Sequence, residues 1–204
     1  MSVVTMPDTL YMSSMSWRQK RNELATRSIF GAQTVEVAAP LWMVDIAIDR
    51  LPDSEAGPWK SLIMQLEGQV NQLAVWDKMR PVPLGTMRGT MVLDVNAAQG
   101  AVQIVIDAGA GEAAETLVEG DLLGLGTGAT QQVVMVTGDA TANGSGVITV
   151  SIQPPLRNAF TAGASVTWDK PKALFRRTNP ESGWDYSGVY ASGFNLSLIE
   201  DWRP

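Results

Sequence analysis

Two hydrophobic periods dominate the chain. In the first, Trp42, Val44, Ile46 and Ile48 alternate with polar positions, while Asp45 and Asp49 fall on the opposite face. A period of two in β-branched and aromatic residues predicts a strand buried on one side. In the second, Trp59, Leu62, Ile63, Leu66, Val70 and Leu73 recur at helical spacing just after Leu51-Pro52-Asp53. That stripe predicts the one long helix, over 54–74, with Asp53 or Ser54 as its cap and a connection short enough to lay it on the sheet. Pro58 suits the first helical turn, where its missing N–H leaves no bond unmade. Gly68 costs about 1 kcal/mol against Ala inside a helix, so its use there points to a close backbone approach. Pro81, Pro83, Gly85 and Gly89 then form a rigid exit that no helix or central strand would contain. The stretch 51–89 is the hub of the chain.

On the N-terminal side, residues 1–16 are polar and unpatterned, with Met1, Met6, Met12 and Met15 among them. They read either as an arm ordered by contact with something else or as a loosely packed terminus. Residues 28–39 turn to a strand pattern, with Thr34-Val35-Glu36-Val37 alternating, and Pro40 is expected to break it. After Gly89, charge becomes sparse and Gly, Ala, Val and Thr dominate. Strands are expected at Gln103–Asp107, Leu122–Leu125, Gln131–Thr137, Val147–Ile152 and Ser165–Trp168, with a tight turn at Asn143-Gly144-Ser145-Gly146. Short strands so closely spaced predict a small barrel or compact sandwich.

Near the C-terminus, Arg176, Arg177, Asn179, Pro180, Glu181, Ser182 and Gly183 form a polar connection. Strands follow at Trp184-Asp185-Tyr186 and from Phe194 to Leu198. Phe194, Leu196 and Leu198 share one face, as residues 42–48 do, so these strands are expected to return to the first domain. The expected fold is mainly β (α+β). Residues 1–89 and 173–204 form a β-sandwich-like domain with helix 54–74 packed on it, and residues 90–172 form a small all-β barrel inserted into it.

Composition narrows the functions available. The 204 residues carry a net charge of −6. Such a chain lacks the clustered positive field of a protein that grips nucleic acid by its phosphates. The short cluster Arg18, Lys20, Arg21 precedes Glu23 and reads as a solvated turn. With 45% hydrophobic and 18% charged residues, the chain is not a disordered tail. Cysteine and histidine are both absent, which removes disulfides, thiolate nucleophiles, zinc sites of the usual kinds and imidazole bases. No apolar run reaches the length of a membrane span, and the N-terminus lacks signal-peptide order, so use without export is expected.

The remaining candidates for chemistry are few. Gly124-Leu125-Gly126-Thr127-Gly128 has the look of a phosphate loop, but it lacks a Walker lysine and precedes a strand; it reads as a turn. Asp139, Asn143 and Ser145 have calcium-loop spacing without the distal acid, and read as a hairpin turn. Asp45 and Asp49 share a strand face, which suits a solvated surface better than a glycosidase pair. The seven tryptophans fit cores and subunit interfaces, or stacking on sugars. No catalytic, cofactor or metal residues are nominated, and an enzyme is not expected, because only carboxylates, Lys and Tyr remain for acid–base work.

Two long phrases carry a family likeness: LEGQVNQLAVWDKMRPVPLGTMRG, and LVEGDLLGLGTGATQQVVMVTGDATANGSGVITVSIQPPLRNAF followed by ASVTWDKPKALFRR. They resemble tail proteins of long-tailed bacteriophages and prophages, and the ordering is similar to distal tail proteins, over most of the chain after about Arg27. The resemblance implies a β-sandwich domain with one helix that closes into a hexameric ring at the end of the tail tube. A further β domain projects from it, and no catalytic residues are involved. It also implies as partners the tail-tube protein and the baseplate-hub or tail-tip proteins, with DNA passing transiently through the lumen, in a virion assembled in the host cytoplasm. That family places its extra domain after the first, whereas here the barrel reads as an insertion. Two alternatives stand beside it: a neighbouring minor tail or baseplate-hub protein, and a carbohydrate-binding adhesion module using Trp168 or Trp184.

Overall fold

A computed structural model of the chain describes residues 2–201, Ser28 through its backbone alone; Met1 and residues 202–204 lie outside the described residues. The chain is mainly β, with one α-helix and a closed six-stranded barrel. By its contacts it divides into two compact units, 2–20 with 41–75 and 174–201, and 21–40 with 76–173.

In the first unit the N-terminus is a strand. β1 (Val3–Thr5) pairs in parallel with a later strand, and Met6 and Leu10 behind it are buried. The expectation of an unpatterned arm is therefore corrected, because a three-residue strand is too short to show a period. β2 (Ser14–Ser28) and β3 (Gly31–Ala47) follow as a long hairpin, of which residues 21–40 count with the second unit. Trp42, Val44 and Ile46 on β3, and Ile48 just beyond it, are buried as the alternation predicts.

Pro40 does not break β3. It lies beyond the last pair that β3 makes with its C-terminal neighbour among the described residues, Met43 with Ile199, so that side shows no ladder there to interrupt. Proline is tolerated where a strand has an open edge. The basic cluster Arg18, Lys20, Arg21 is likewise not a turn. It lies on β2 and faces acids across the hairpin, Arg18 to Asp45 at 3.7 Å and Arg21 to Glu36 at 3.9 Å.

β4 (Leu51–Pro52) leads into α1, which spans only Gly57–Gln65. The predicted helix 54–74 is corrected at both ends. Asp53 and Ser54 sit in a short 3-10 turn and neither caps α1; Ala56 holds the cap position and the Asp53 carboxylate binds Lys60. At the other end Glu67 and Gly68 take positive φ, 47° and 67°, and the Asn71 side-chain amide donates to the Gln65 carbonyl at 2.8 Å. That amide satisfies one of the carbonyls every helix end leaves open. Gly68 also meets a close approach, since a Cβ there would stand 3.1 Å from the Pro180 carbonyl oxygen. Val70 is exposed, and Leu73 is buried on β5 (Gln72–Val75) rather than on the helix. The apolar stripe ran on because a buried strand succeeds a half-buried helix, and residue spacing does not mark where one becomes the other.

In the second unit β6 (Met91–Leu93), β7 (Gln103–Asp107), β9 (Leu122–Leu125), β10 (Gln132–Val136), β12 (Val147–Gln153) and β13 (Ser165–Thr167) close in the order β10-β12-β7-β6-β13-β9, with β9 paired to β10. β8 (Thr116–Leu117) and β11 (Ala140–Thr141) form a small pair beside it. The interior is aliphatic, built on Leu93, Ile106, Leu117, Leu125, Val136 and Val150, with Met87 and Phe160 completing it.

Asp121, 1% exposed, ties the rigid exit to this barrel. Its carboxylate accepts from the backbone N–H groups of Leu84, Gly85 and Val118 at 2.7, 3.1 and 2.8 Å. Gly85 must be glycine because a Cβ would stand 2.3 Å from the Thr116 carbonyl oxygen.

The chain then returns to the first unit. β14 (Ala173–Arg177) was expected to be a polar connection from Arg176 onward and is instead a strand. β15 (Asp185–Ser187) and β16 (Tyr190–Ser192) join β4 in a three-stranded sheet. β17 (Asn195–Glu200) lies between β14 and β3, giving the six-stranded order β1-β5-β14-β17-β3-β2. Leu196, Leu198 and the adjacent Phe194 are buried, and Trp17 meets Trp42 and Phe175 edge-on at 5.8 and 5.7 Å. Perpendicular ring contacts of this kind add to the area they bury.

Asp121→Ala leaves three backbone donors without their acceptor, so the expected loss is roughly 3 kcal/mol or more. Chemical denaturation followed by intrinsic fluorescence measures it; a loss under about 1 kcal/mol would show that the carboxylate does not hold the turn. Leu196→Ala removes a fully buried side chain from the central strand and is expected to lower stability by about 2–5 kcal/mol in the same measurement.

Candidate functional site

The outer part of the β2–β3 hairpin stands out for its exposure. Among the described residues β3 pairs with β17 from Met43 to Ala47, and before Met43 it has β2 on one side and no strand on the other. β2 is itself an edge strand. From Glu23 to Ala39, Ser28 aside, every residue is exposed, on both faces of the ribbon. The tip is apolar: Ile29 and Phe30 are 92% and 93% exposed, and Leu24, Val35 and Val37 are exposed behind them. A two-stranded ribbon has little stability of its own in water, and long open edges invite pairing with another chain. The arm therefore leaves backbone donors and acceptors and apolar side chains together at the surface.

The sequence signal for this arm is weak: residues 28–39 carry a strand pattern, whereas the β2 stretch is polar and mixed, and the opposite charges of Arg21 and Glu36 meet only once the hairpin forms.

A second feature lies on the first unit, where β4, β15 and β16 pair. An open groove of about 440 Å³ is lined by Pro52, Asp53, Ser54, Tyr186, Val189 and Tyr190. The Arg50 guanidinium lies 3.7 Å from the centre of the Tyr190 ring. The Lys60 ammonium donates to the Asp53 carboxylate and, at 2.8 Å, to the Tyr186 hydroxyl. Trp184 stacks on Phe194 at 6.4 Å and has Lys60 5.5 Å from its ring centre. Hydrogen bonds to Asp53 first, and then to Tyr186, hold the Lys60 proton above its ordinary value. The bond from Lys60 is the main cause that lowers the Tyr186 phenol below its own.

The other nominated residues are occupied structurally. Trp168 donates from its indole to the Gly89 carbonyl at 2.9 Å and packs on the barrel core. In the glycine-rich run, Leu125 ends β9 and Gly126 sits against the Phe160 ring. Asp139 accepts from the Glu119 N–H, and Asn143 accepts from the N–H groups of Ser145 and Val147, closing a turn. Asp45 faces Arg18 at 3.7 Å, and the Asp49 backbone N–H donates to the Ser13 hydroxyl just before the hairpin. Among the described residues no cluster of three or more carboxylates could hold a metal, and no helix is long and apolar enough to cross a membrane. No protein-family model matches the chain, and no curated protein matches it.

In alkaline titration followed by phenol absorbance, the earliest tyrosine step is expected below the ordinary phenol value and is expected to move up in Lys60→Met. An unchanged titration in that variant would mean that the Lys60–Tyr186 bond is absent in solution. The Asp53–Lys60 contact contributes in full below the ordinary lysine value and is lost as pH rises through the raised one. The depressed Tyr186 contributes above the ordinary phenol value and loses that contribution as pH falls through its own.

Proposed function

We propose that this chain is a structural subunit of a bacteriophage tail, forming a ring, six-membered in the family it resembles, at the distal end of the tail tube. The ring joins the tube to the baseplate or tail tip and lets DNA pass. The observation that carries this reading is the exposed β2–β3 arm with open edges and an apolar tip. A ring needs two different patches on each subunit, one donating and one receiving, so that head-to-tail contacts repeat until the rotation closes. The arm is a donor of that kind, because an incoming subunit can satisfy its edges with backbone bonds and cover Ile29 and Phe30. The acidic balance of the chain suits a lumen through which a polyanion slides without sticking. The partners are further copies of the chain, the tail-tube protein and the hub or tip proteins, and the location is the virion, after assembly in the host cytoplasm. A neighbouring minor tail or hub position is the same proposal with a different neighbour.

A second reading, a host-adhesion module that binds carbohydrate, draws on the groove between Tyr186 and Tyr190. Aromatic faces beside Asp53, Ser54 and Arg50 are the groups that stack on sugars and bond their hydroxyls. It does not draw on Trp168, whose indole N–H is already bound.

Light scattering across a concentration series is expected to show a closed oligomer, or a monomer converting to one. Ile29→Asp with Phe30→Asp should shift that equilibrium to monomer without lowering the melting temperature, because both side chains are exposed. A monomer at every concentration overturns the self-assembling ring, and glycan binding lost in Tyr186→Ala would then favour adhesion.

A further inference from the structure

At the end of β14 the Arg177 side chain is 5% exposed, beneath the loop that follows it. Its guanidinium donates to the Ser182 hydroxyl and to the Glu181 carbonyl, both neutral acceptors. Among the described residues no carboxylate lies within ion-pair distance of it, whereas the neighbouring Arg176 has Asp201 at 3.6 Å. Burial alone draws Arg177 below the ordinary guanidinium value, with no acid to oppose it. A guanidinium stays protonated even so, and a buried charge is ordinarily paired. This one is solvated by two neutral oxygens.

Arg177 lines a cavity of about 200 Å³ together with Asn179, Asn195, Ser197 and Ile63. The Asn179 side-chain oxygen already accepts from the Glu181 N–H at 2.9 Å, which leaves its amide N–H groups as the donors on offer. Asn195 and Ser197 supply an amide and a hydroxyl, and two of the five guanidinium donors are engaged. Gly183 leaves its side of the lining open, while Gly193 lies against the Asp185 carboxylate, whose oxygen is 2.8 Å from where a Cβ would stand. Glu181, exposed, is the acidic residue of the lining. The volume is below the 300–1,000 Å³ usual for a drug-sized ligand. A buried cation, neutral hydrogen-bonding side chains and a small volume together define what fits.

We propose that this cavity binds a small oxyanion of the carboxylate or phosphate type, held by the Arg177 guanidinium with Asn179, Asn195 and Ser197. The anion supplies the charge that the fold leaves out, and the planar guanidinium fork matches two of its oxygens. In binding it would also fix the 178–183 loop to the end of β14.

Calorimetric titration of the whole chain with sodium phosphate and, separately, sodium acetate, each against a sodium chloride control of equal ionic strength, tests this. Saturation at one site is expected. Saturation by phosphate alone assigns a tetrahedral anion, and saturation by acetate assigns a carboxylate. Arg177→Gln should abolish it. Because that variant alters a buried group, Asn195→Ala, on an exposed residue, is the second: it should keep the anion-free melting temperature and weaken binding roughly tenfold, the scale of one hydrogen bond to a charged group. Glu181→Gln should tighten binding by about fivefold by removing the like charge from the lining. No saturation above chloride, or saturation unchanged in Arg177→Gln and Asn195→Ala, overturns the proposal and leaves Arg177 a loop anchor.

Discussion

The six-stranded sheet depends on β17. It pairs with β14 on one side and β3 on the other, so a segment near the C-terminus joins strands from the beginning of the chain to strands after the barrel. Its side chains carry the join inward, with Phe194, Leu196 and Leu198 all buried. Its end carries a polar join as well. Glu200, 3% exposed, accepts the Trp42 N–H at 2.9 Å, and Asp201 accepts from Gln72 on β5 at 2.8 Å. Removing β17 would leave β3 and β14 without a common neighbour and each with an open ladder, a far larger loss than any single side chain represents.

Against the paired centre of that sheet, the outer hairpin is an exception. Long open edges and bulky apolar tips are features that isolated β proteins suppress. Here both are kept, and the cross-strand charges Arg18 with Asp45 and Arg21 with Glu36 help hold the ribbon's register.

The polar residues that invite a chemical reading mostly hold backbone. Asp121, Asp139 and Asn143 each accept from main-chain N–H groups, and Trp168 donates to a main-chain carbonyl. In a barrel of short strands the connections are long relative to the ladders, and their unpaired amides need acceptors. Arg177 is the departure, a buried charge at a cavity whose own hydrogen-bond acceptors are a hydroxyl and a main-chain carbonyl.

What the sequence determined by itself is the content that rests on local period and composition. The alternation at 42–48, the strands at 103–107 and 122–125, the Asn-Gly turn and the mainly β class with an inserted barrel were all legible, because each needs only neighbours along the chain. Tertiary structure alone decided where the helix stops, since Leu73 keeps the apolar stripe while Glu67, Gly68 and Asn71 turn the backbone into β5. It decided that Pro40 lies inside a strand, because the answer depends on where β17 ends. It made strands of Val3–Thr5 and Ala173–Arg177, which are too short or too mixed to show a period and exist through the partners that complete their ladders. It also made the two candidate sites, the arm and the Arg177 cavity. Exposure of Ile29 and burial of Arg177 both run against residue type, and only packing between segments distant in sequence can produce either.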